Sequence, residues 1–405
     1  MTQAPLPFAA TLVLLLSAAG ASGQEAVPPT QAPPDLSAAL ALEHAFTGVL
    51  DRLRPSLVTV TSYVPVERPT DADGRPNAAG MWAILDDSNP YPGYQPLASA
   101  TGFVYDAQGT ILSAWHALLR EDRTPAPLIS VETPDRRHWI CEILGGEPTI
   151  NVAVLAIRAF DGMEKPMLPP VTVGDSEAVR PGQWAIAPGD PFGALRTCAT
   201  GIFTARPLRQ CYQGDMTATM LQTSLTAHPE AYGGPVTNIR GEVVGQLVPR
   251  YPKPKVTPSS GAPGVELAMP IEIVTNIADG LVQVAARGQR SEQSPWLGLS
   301  VLEITTLRAQ LRERDPEALR ALVAPPVGVF IDDVFTPGPA VDAGIEVGDY
   351  LLSIDGHRLL SVLDFQKWLY LSGVGRTAAV EVFRDGAVRK VEIAIAARPA
   401  EVRPR

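Results

Sequence analysis

Apolar residues along most of this chain come in short runs broken by turns rich in glycine, proline and aspartate. Runs dominated by Val, Ile, Thr and aromatic residues predict strands. Segments 56–63, 101–105, 111–116, 129–132, 138–144, 152–157, 183–187, 197–205, 220–223 and 243–248 have this form, and 265–270 predicts the last of the series. Many short strands without long helices between them predict a β-barrel or β-sandwich body. Two helical patterns bracket it. Leu42, Phe46, Val49, Leu50 and Leu53 share one helix face, with Asp35 as an N-cap and Pro55 as a stop. Residues 271–286 predict a closing helix.

The pattern changes after a polar linker at 287–294. From Pro295 onward, strand runs at 296–301, 328–334 and 348–356 alternate with helical stretches at 307–322, after Ala340 and around Leu363, Phe365 and Leu369. Segments 378–384 and 388–395, joined at Asp385-Gly386, predict a hairpin. About a hundred residues of mixed β and α structure, 295–398, thus stand as a separate module. The long stretch 64–98 is rich in Pro, Asp, Asn and Gly and lacks periodicity. It predicts a partly ordered loop that docks, through Met81, Trp82, Tyr91 and Tyr94, on its own domain or on a neighbouring subunit.

Composition narrows the class. With 45% apolar and 19% charged residues, 40 prolines and 34 glycines, the 405-residue chain is globular and turn-rich. A net charge of -10 with no basic aromatic ladder argues against a nucleic-acid partner. Residues 8–22 are apolar and end in small residues, which predicts a signal peptide over 1–23 and an exported protein; the n-region lacks Lys or Arg, and the alternative is an uncleaved membrane anchor facing outside the cytoplasm. Residues 24–34 predict an extended Pro-rich linker. Export permits disulfides. Cys198 and Cys211, placed on neighbouring strands of one hairpin, are a candidate pair that is either bridged or free; Cys141 alternates as a buried strand residue. The five histidines, His44, His116, His138, His228 and His357, show no metal-ligand spacing, and no metal or cofactor is expected.

The stretch around which the body is organised is His228-Pro229-Glu230-Ala231-Tyr232-Gly233-Gly234-Pro235, a tight turn feeding the strand at 243–248. Together with Thr101-Gly102-Phe103 running to Ser113-Ala114-Trp115-His116, Asn151-Val152-Ala153-Val154-Leu155, Gly174-Asp175-Ser176, Gly189-Asp190-Pro191 and Gln222-Thr223, it resembles the HtrA (Deg) family of exported serine proteases. The resemblance covers most of the chain from about residue 56. It implies a mainly β fold, a chymotrypsin/trypsin-like double β-barrel over 35–286 followed by a PDZ domain over 295–398, periplasmic if the source is Gram-negative.

The same resemblance places His116 at the catalytic histidine, Asn151 at the catalytic aspartate, Tyr232 at the nucleophilic serine and Glu230 at an oxyanion-hole glycine. A phenol on a rigid ring is not a serine hydroxyl, and Asn lacks the charge that stabilises an imidazolium. A Cβ at position 230 disfavours the positive φ that glycine allows. Ser113, Ser224 and Thr226 lie on nearby segments but not on the turn that makes a nucleophile. In the C-terminal module, Leu297, Gly298 and Leu299 match the loop that holds a peptide carboxylate, with 299–302 as receiving edge and Phe365 and Trp368 on the groove helix. The expectation is an inactive HtrA-like protein that binds peptide C-termini or unfolded chains as scaffold, chaperone or regulator of an active paralogue, with a trimer implied by the family. The alternative is an endopeptidase in protein quality control working through a non-standard site.

Overall fold

A computed structural model of the chain describes residues 35–66, 90–148, 150–159, 164–189, 197–211, 217–249, 266–288, 291–292 and 294–399. The expected signal peptide, the Pro-rich linker and the middle of the 64–98 loop lie outside the described residues. Helix α1, Ser37–Leu53, starts where Asp35 Oδ1 accepts from the Ser37 N–H at 3.0 Å. Its apolar face sends Val49 and Leu53 into the core, and Phe46 meets Trp184 edge-on at 5.1 Å.

Alternating and continuous apolar runs then build β1 (Leu57–Pro65), β2 (Tyr94–Val104), β3 (Ile111–Ala114), β4 (Leu128–Glu132), β5 (His138–Glu147) and β6 (Val152–Ile157). They pair in the order β5-β4-β1-β2-β3-β6, and β6 pairs back with β5, which closes a six-stranded barrel. The end of the expected long loop is therefore strand, and Tyr91 just before it packs on Tyr63 at 5.1 Å and bonds Ser130 at 2.7 Å. Strands β7 (Trp184–Gly189), β8 (Thr197–Cys211), β9 (Thr217–Thr223), β10 (Pro235–Thr237), β11 (Val243–Val248) and β12 (Glu266–Pro270) close a second barrel, ordered β10-β11-β12-β9-β8-β7. Helix α2, Ile271–Ala286, follows directly, and its Ile271, Val274, Ala278 and Leu281 join Phe103, Leu112, Ile186 and Val243 in one core contributed by both barrels.

Two expectations are corrected here. Cys198 and Cys211 sit on the same strand, β8, and not on neighbours of a hairpin. An extended strand rises about 3.3 Å per residue, which carries its ends far beyond the roughly 7 Å Cα limit of a disulfide. Cys198 is a free thiol, pushed up to about 11 by burial. The segment 287–294 is not a mere linker either: β13, Ser291–Glu292, adds in parallel to Gly145 and Gly146 of β5, and Ser294 Oγ donates to the buried Glu147 at 2.6 Å. Cys141 is buried and free, its thiol pushed up to about 12 by desolvation.

The C-terminal module begins with β14 (Pro295–Trp296) and β15 (Leu299–Glu303). The helical stretch predicted as one piece splits into α3, Ile304–Arg314, and α4, Pro316–Ala321. The break is local chemistry: Pro316 cannot continue the first helix, and Asp315 caps the second by accepting from Ala318 N at 2.9 Å. Then come β16 (Val329–Val334), α5 (Pro339–Asp342), β17 (Tyr350–Ile354), β18 (His357–Arg358), α6 (Val362–Ser372), β19 (Thr377–Arg384), β20 (Ala387–Ala394) and β21 (Ala396–Ala397). The sheet runs β15-β16-β17-β19-β20, with β18 on β17, while β14 pairs β21. Strand β15 is thus an edge strand. Among the described residues no helix is long and apolar enough to cross a membrane.

Candidate functional site

His116 lies in a 3-10 turn, Trp115–Leu118, immediately after β3, and Asn151 immediately precedes β6, the strand paired with β3. Asn151 has φ 62°, a left-handed conformation that Asn tolerates better than most residues. This places its side chain under the turn. Asn151 Oδ1 accepts from the His116 backbone N–H at 2.8 Å and faces His116 Nδ1 at 3.1 Å. The pairing assigns the amide and the ring together. A backbone N–H can only donate, so the amide atom facing it is the oxygen, and Nδ1 must then carry the proton. Nε2 keeps its lone pair. The Asn151 amide nitrogen is buried without a hydrogen-bond partner among the described residues.

In a protease of this fold, replacing the triad Asp by Asn costs about 10⁴ in turnover through the wrong imidazole tautomer. Here the backbone N–H holds the tautomer that a base requires, but Asn151 brings no negative charge. Burial lowers the His116 pKa, and the bond to Asn151 opposes that without reversing it. The imidazole is a neutral, oriented base with nothing ionised behind it.

The turn at 228–235 is fixed by close backbone approach. Gly233, with φ +88°, has Ala114 N 2.4 Å and Thr101 O 2.7 Å from where a Cβ would stand. Its N–H donates to Leu247 O at 2.8 Å. Gln246 Nε2, fully buried, donates to Ser113 O at 2.8 Å and Gly233 O at 3.1 Å, tying the two barrels together. Glu230 sits in a 3-10 turn, Pro229–Ala231, where its N–H donates to His228 Nδ1 at 3.3 Å and its carbonyl accepts from Thr101 Oγ1 at 3.0 Å. The amide that an oxyanion hole would use is therefore turned to the His228 ring. Tyr232 directs its ring against the core of the second barrel, and its hydroxyl donates to Glu266 Oε2 at 3.3 Å.

Two of the three other hydroxyls named from the sequence are engaged as well. Ser113 is fully buried and donates to Thr101 O at 2.9 Å, and Ser224 Oγ accepts from Ile202 N at 3.0 Å. The structure brings His116 and Asn151 together and sends the Tyr232 hydroxyl to β12. Gln246 and Glu266 escaped the sequence reading, because each acts from a segment remote along the chain with no local motif; His228 and Thr101 stand within the motifs, but their bonds to Glu230 are not visible there.

At the C-terminal module, Gly298 has φ +77°, and a Cβ there would lie 3.0 Å from Pro339 Cδ. The Leu297 carbonyl accepts from Ala340 N at 2.9 Å and the Gly298 carbonyl from Phe335 N at 2.8 Å. In a trans peptide the next N–H points opposite to the carbonyl. The Gly298 and Leu299 N–H groups are therefore turned away from segment 335–340, beside the edge of β15. Glu303 Oε1 accepts from Val362 N at 3.0 Å, which brings the start of α6 to the end of β15. Leu297, Leu299 and Phe365 are buried in the core of the module, and Trp368 stacks on His357 at 3.5 Å.

Comparison with known proteins matches residues 100–245 to a trypsin-like peptidase domain and residues 295–395 to a PDZ domain. The chain is thus a trypsin-like double barrel followed by a PDZ domain. It is 28% identical over 369 residues to a probable periplasmic serine endoprotease DegP-like of Pseudomonas fluorescens, covering 88% of this chain and 71% of that relative. A Marinomonas relative of the same description is 27% identical, at 87% and 71% coverage. Among solved structures, the HtrA-type protease AlgW with decapeptide superposes with TM-score 0.61 at 21% identity, over 87% of this chain and 99% of that one. The serine endoprotease from Yersinia pestis gives TM-score 0.52 at 19% identity, over 87% and 98%. The structural likeness establishes the fold that the two domain matches define.

Proposed function

We propose that this chain is an exported, periplasmic HtrA-like protein without peptidase activity, which captures the C-termini of peptides or unfolded proteins through its PDZ domain and serves as scaffold, chaperone or regulator. The observation that carries this reading is the nucleophile turn: Tyr232 occupies the serine position and its hydroxyl is bonded to Glu266 on β12. Hydrolysis needs an attacking oxygen within hydrogen-bond reach of the base and two donors beside it. The Glu230 N–H is bonded to His228, and the base is backed by a neutral amide. Peptide capture asks less, because an added strand is held by backbone groups and a carboxylate by N–H groups of a loop. The outward amides of Gly298 and Leu299 and the open edge of β15 supply both. The DegP-like relatives carry the word periplasmic in their names, which supports the location.

The competing reading is an endopeptidase with another nucleophile, favoured by the retained His116–Asn151 pair. A fluorophosphonate probe and a casein digest on the purified chain separate the two. Neither labelling nor cleavage is expected. Labelling lost in His116→Ala would establish the endopeptidase instead. Capture is tested by fluorescence anisotropy of free-acid peptides against the same peptides amidated at the C-terminus. Amidation should weaken binding by about tenfold or more, equivalent to about 1.4 kcal/mol.

A further inference from the structure

Helix α2 of the barrels lies against α6 of the PDZ domain. Asn276 Nδ2 donates to the Tyr370 carbonyl, and the buried Tyr370 joins the core cluster to which α2 belongs. Beside this contact the two domains leave a recess of about 270 Å³. Its α2 wall includes Asp279, Gly280 and Leu281, and its PDZ wall includes Pro295, Tyr370 and Arg376. Small-molecule sites favour junctions between domains, and this volume is close to the lower end of their range.

The lining carries two unlike charges that do not pair with each other. Asp279 accepts from the Tyr105 hydroxyl through Oδ1, and no cation pairs with it among the described residues. Arg376, on the other domain, is exposed and makes no ion pair or side-chain hydrogen bond among the described residues. The third observation is Gly280. It stands inside α2, where glycine is a poor helix former. A Cβ built on it meets nothing within 4 Å, so no packing within the chain demands a glycine there. What its missing side chain does is keep the recess open.

We propose that this recess is a binding site for a short zwitterion with an apolar body, an amino acid or dipeptide. Its ammonium meets Asp279, its carboxylate meets Arg376, and its side chains lie on Leu281, Pro295 and Tyr370. Because the two charges belong to different domains, the bound molecule bridges the barrels and the PDZ domain. The site is separate from the β15 edge. It requires a free ammonium, which strand addition does not.

The test titrates the dipeptide leucyl-leucine into the full chain by calorimetry. Saturable one-site binding is expected. N-acetylation or C-terminal amidation of the dipeptide should each weaken it about tenfold or more, and so should Arg376→Gln and Asp279→Asn. Gly280→Leu should abolish it by filling the recess, with an unfolding midpoint no lower than that of the wild type, since leucine favours a helix more than glycine does. Arg376→Gln changes only an exposed side chain and decides the matter if Gly280→Leu does not fold. Absence of saturable binding at millimolar dipeptide would overturn the proposal. So would binding that survives Gly280→Leu, or an affinity that neither N-acetylation nor Arg376→Gln changes. A longer acetylated free-acid peptide, directed at the β15 edge, should bind Gly280→Leu and wild type equally, so capture at that edge and this site fail independently.

Discussion

The crevice between the barrels and the edge of the PDZ sheet place different demands on the sequence. In the crevice, a nucleophile, a charged orienting residue and a glycine amide must all be correct at once. Positions 232, 151 and 230 carry Tyr, Asn and Glu, and the structure diverts each of them: the phenol to Glu266, the amide oxygen to a backbone N–H, the Glu230 N–H to His228. At β15 the proposed peptide-holding groups are main-chain amides of Gly298 and Leu299. Chemistry in such a crevice depends on side-chain identity, whereas pairing at a sheet edge depends on backbone direction.

Four substitutions or conditions sharpen this contrast, in falling order of effect. Gly233→Ala should strike the crevice hardest, since a Cβ would stand 2.4 Å from Ala114 N at a φ of +88°. A loss of about 3–5 kcal/mol in urea unfolding is expected, seen first in the barrels. Arg384→Ala should strike the PDZ domain instead. Arg384 donates to both carboxylate oxygens of the buried Asp349 at 2.6 Å and to the Gly344 carbonyl at 2.8 Å. Removing it strands a buried carboxylate, and about 2–3 kcal/mol should be lost together with peptide binding, while the barrels unfold as before.

Tyr232→Phe should cost about 1 kcal/mol by thermal unfolding, the worth of one hydrogen bond to a carboxylate that keeps other partners. The smallest effect is on pH. Burial holds the His116 pKa below its usual 6.5, so the unfolded chain takes up this proton at higher pH than the folded one. Stability from this group is complete above about pH 6.5 and falls as the pH drops towards the depressed folded value. Wild type should lose stability relative to His116→Gln over that descent, as read by unfolding midpoints at stepped pH. A difference of the opposite sign would mean that the imidazole is charged in the fold.

Much of the architecture was legible in the chain because it is written locally. Short β-branched runs and the turn residues between them are decided by neighbours in sequence, and the order of motifs carries the double barrel and the PDZ domain. The residue types at 116, 151, 230 and 232 are given by the chain itself. The direction in which those side chains act is not. Tyr232 meets Glu266 and Ser291–Glu292 joins β5, because folding brings together segments whose separation along the chain hides the partnership. The failed Cys198–Cys211 pairing has the same cause: whether two cysteines share a strand or face each other across a hairpin depends on where β8 ends. Sequence periodicity sets which face of an element is buried, while hydrogen-bond partners are chosen by the packing of elements that meet only after folding.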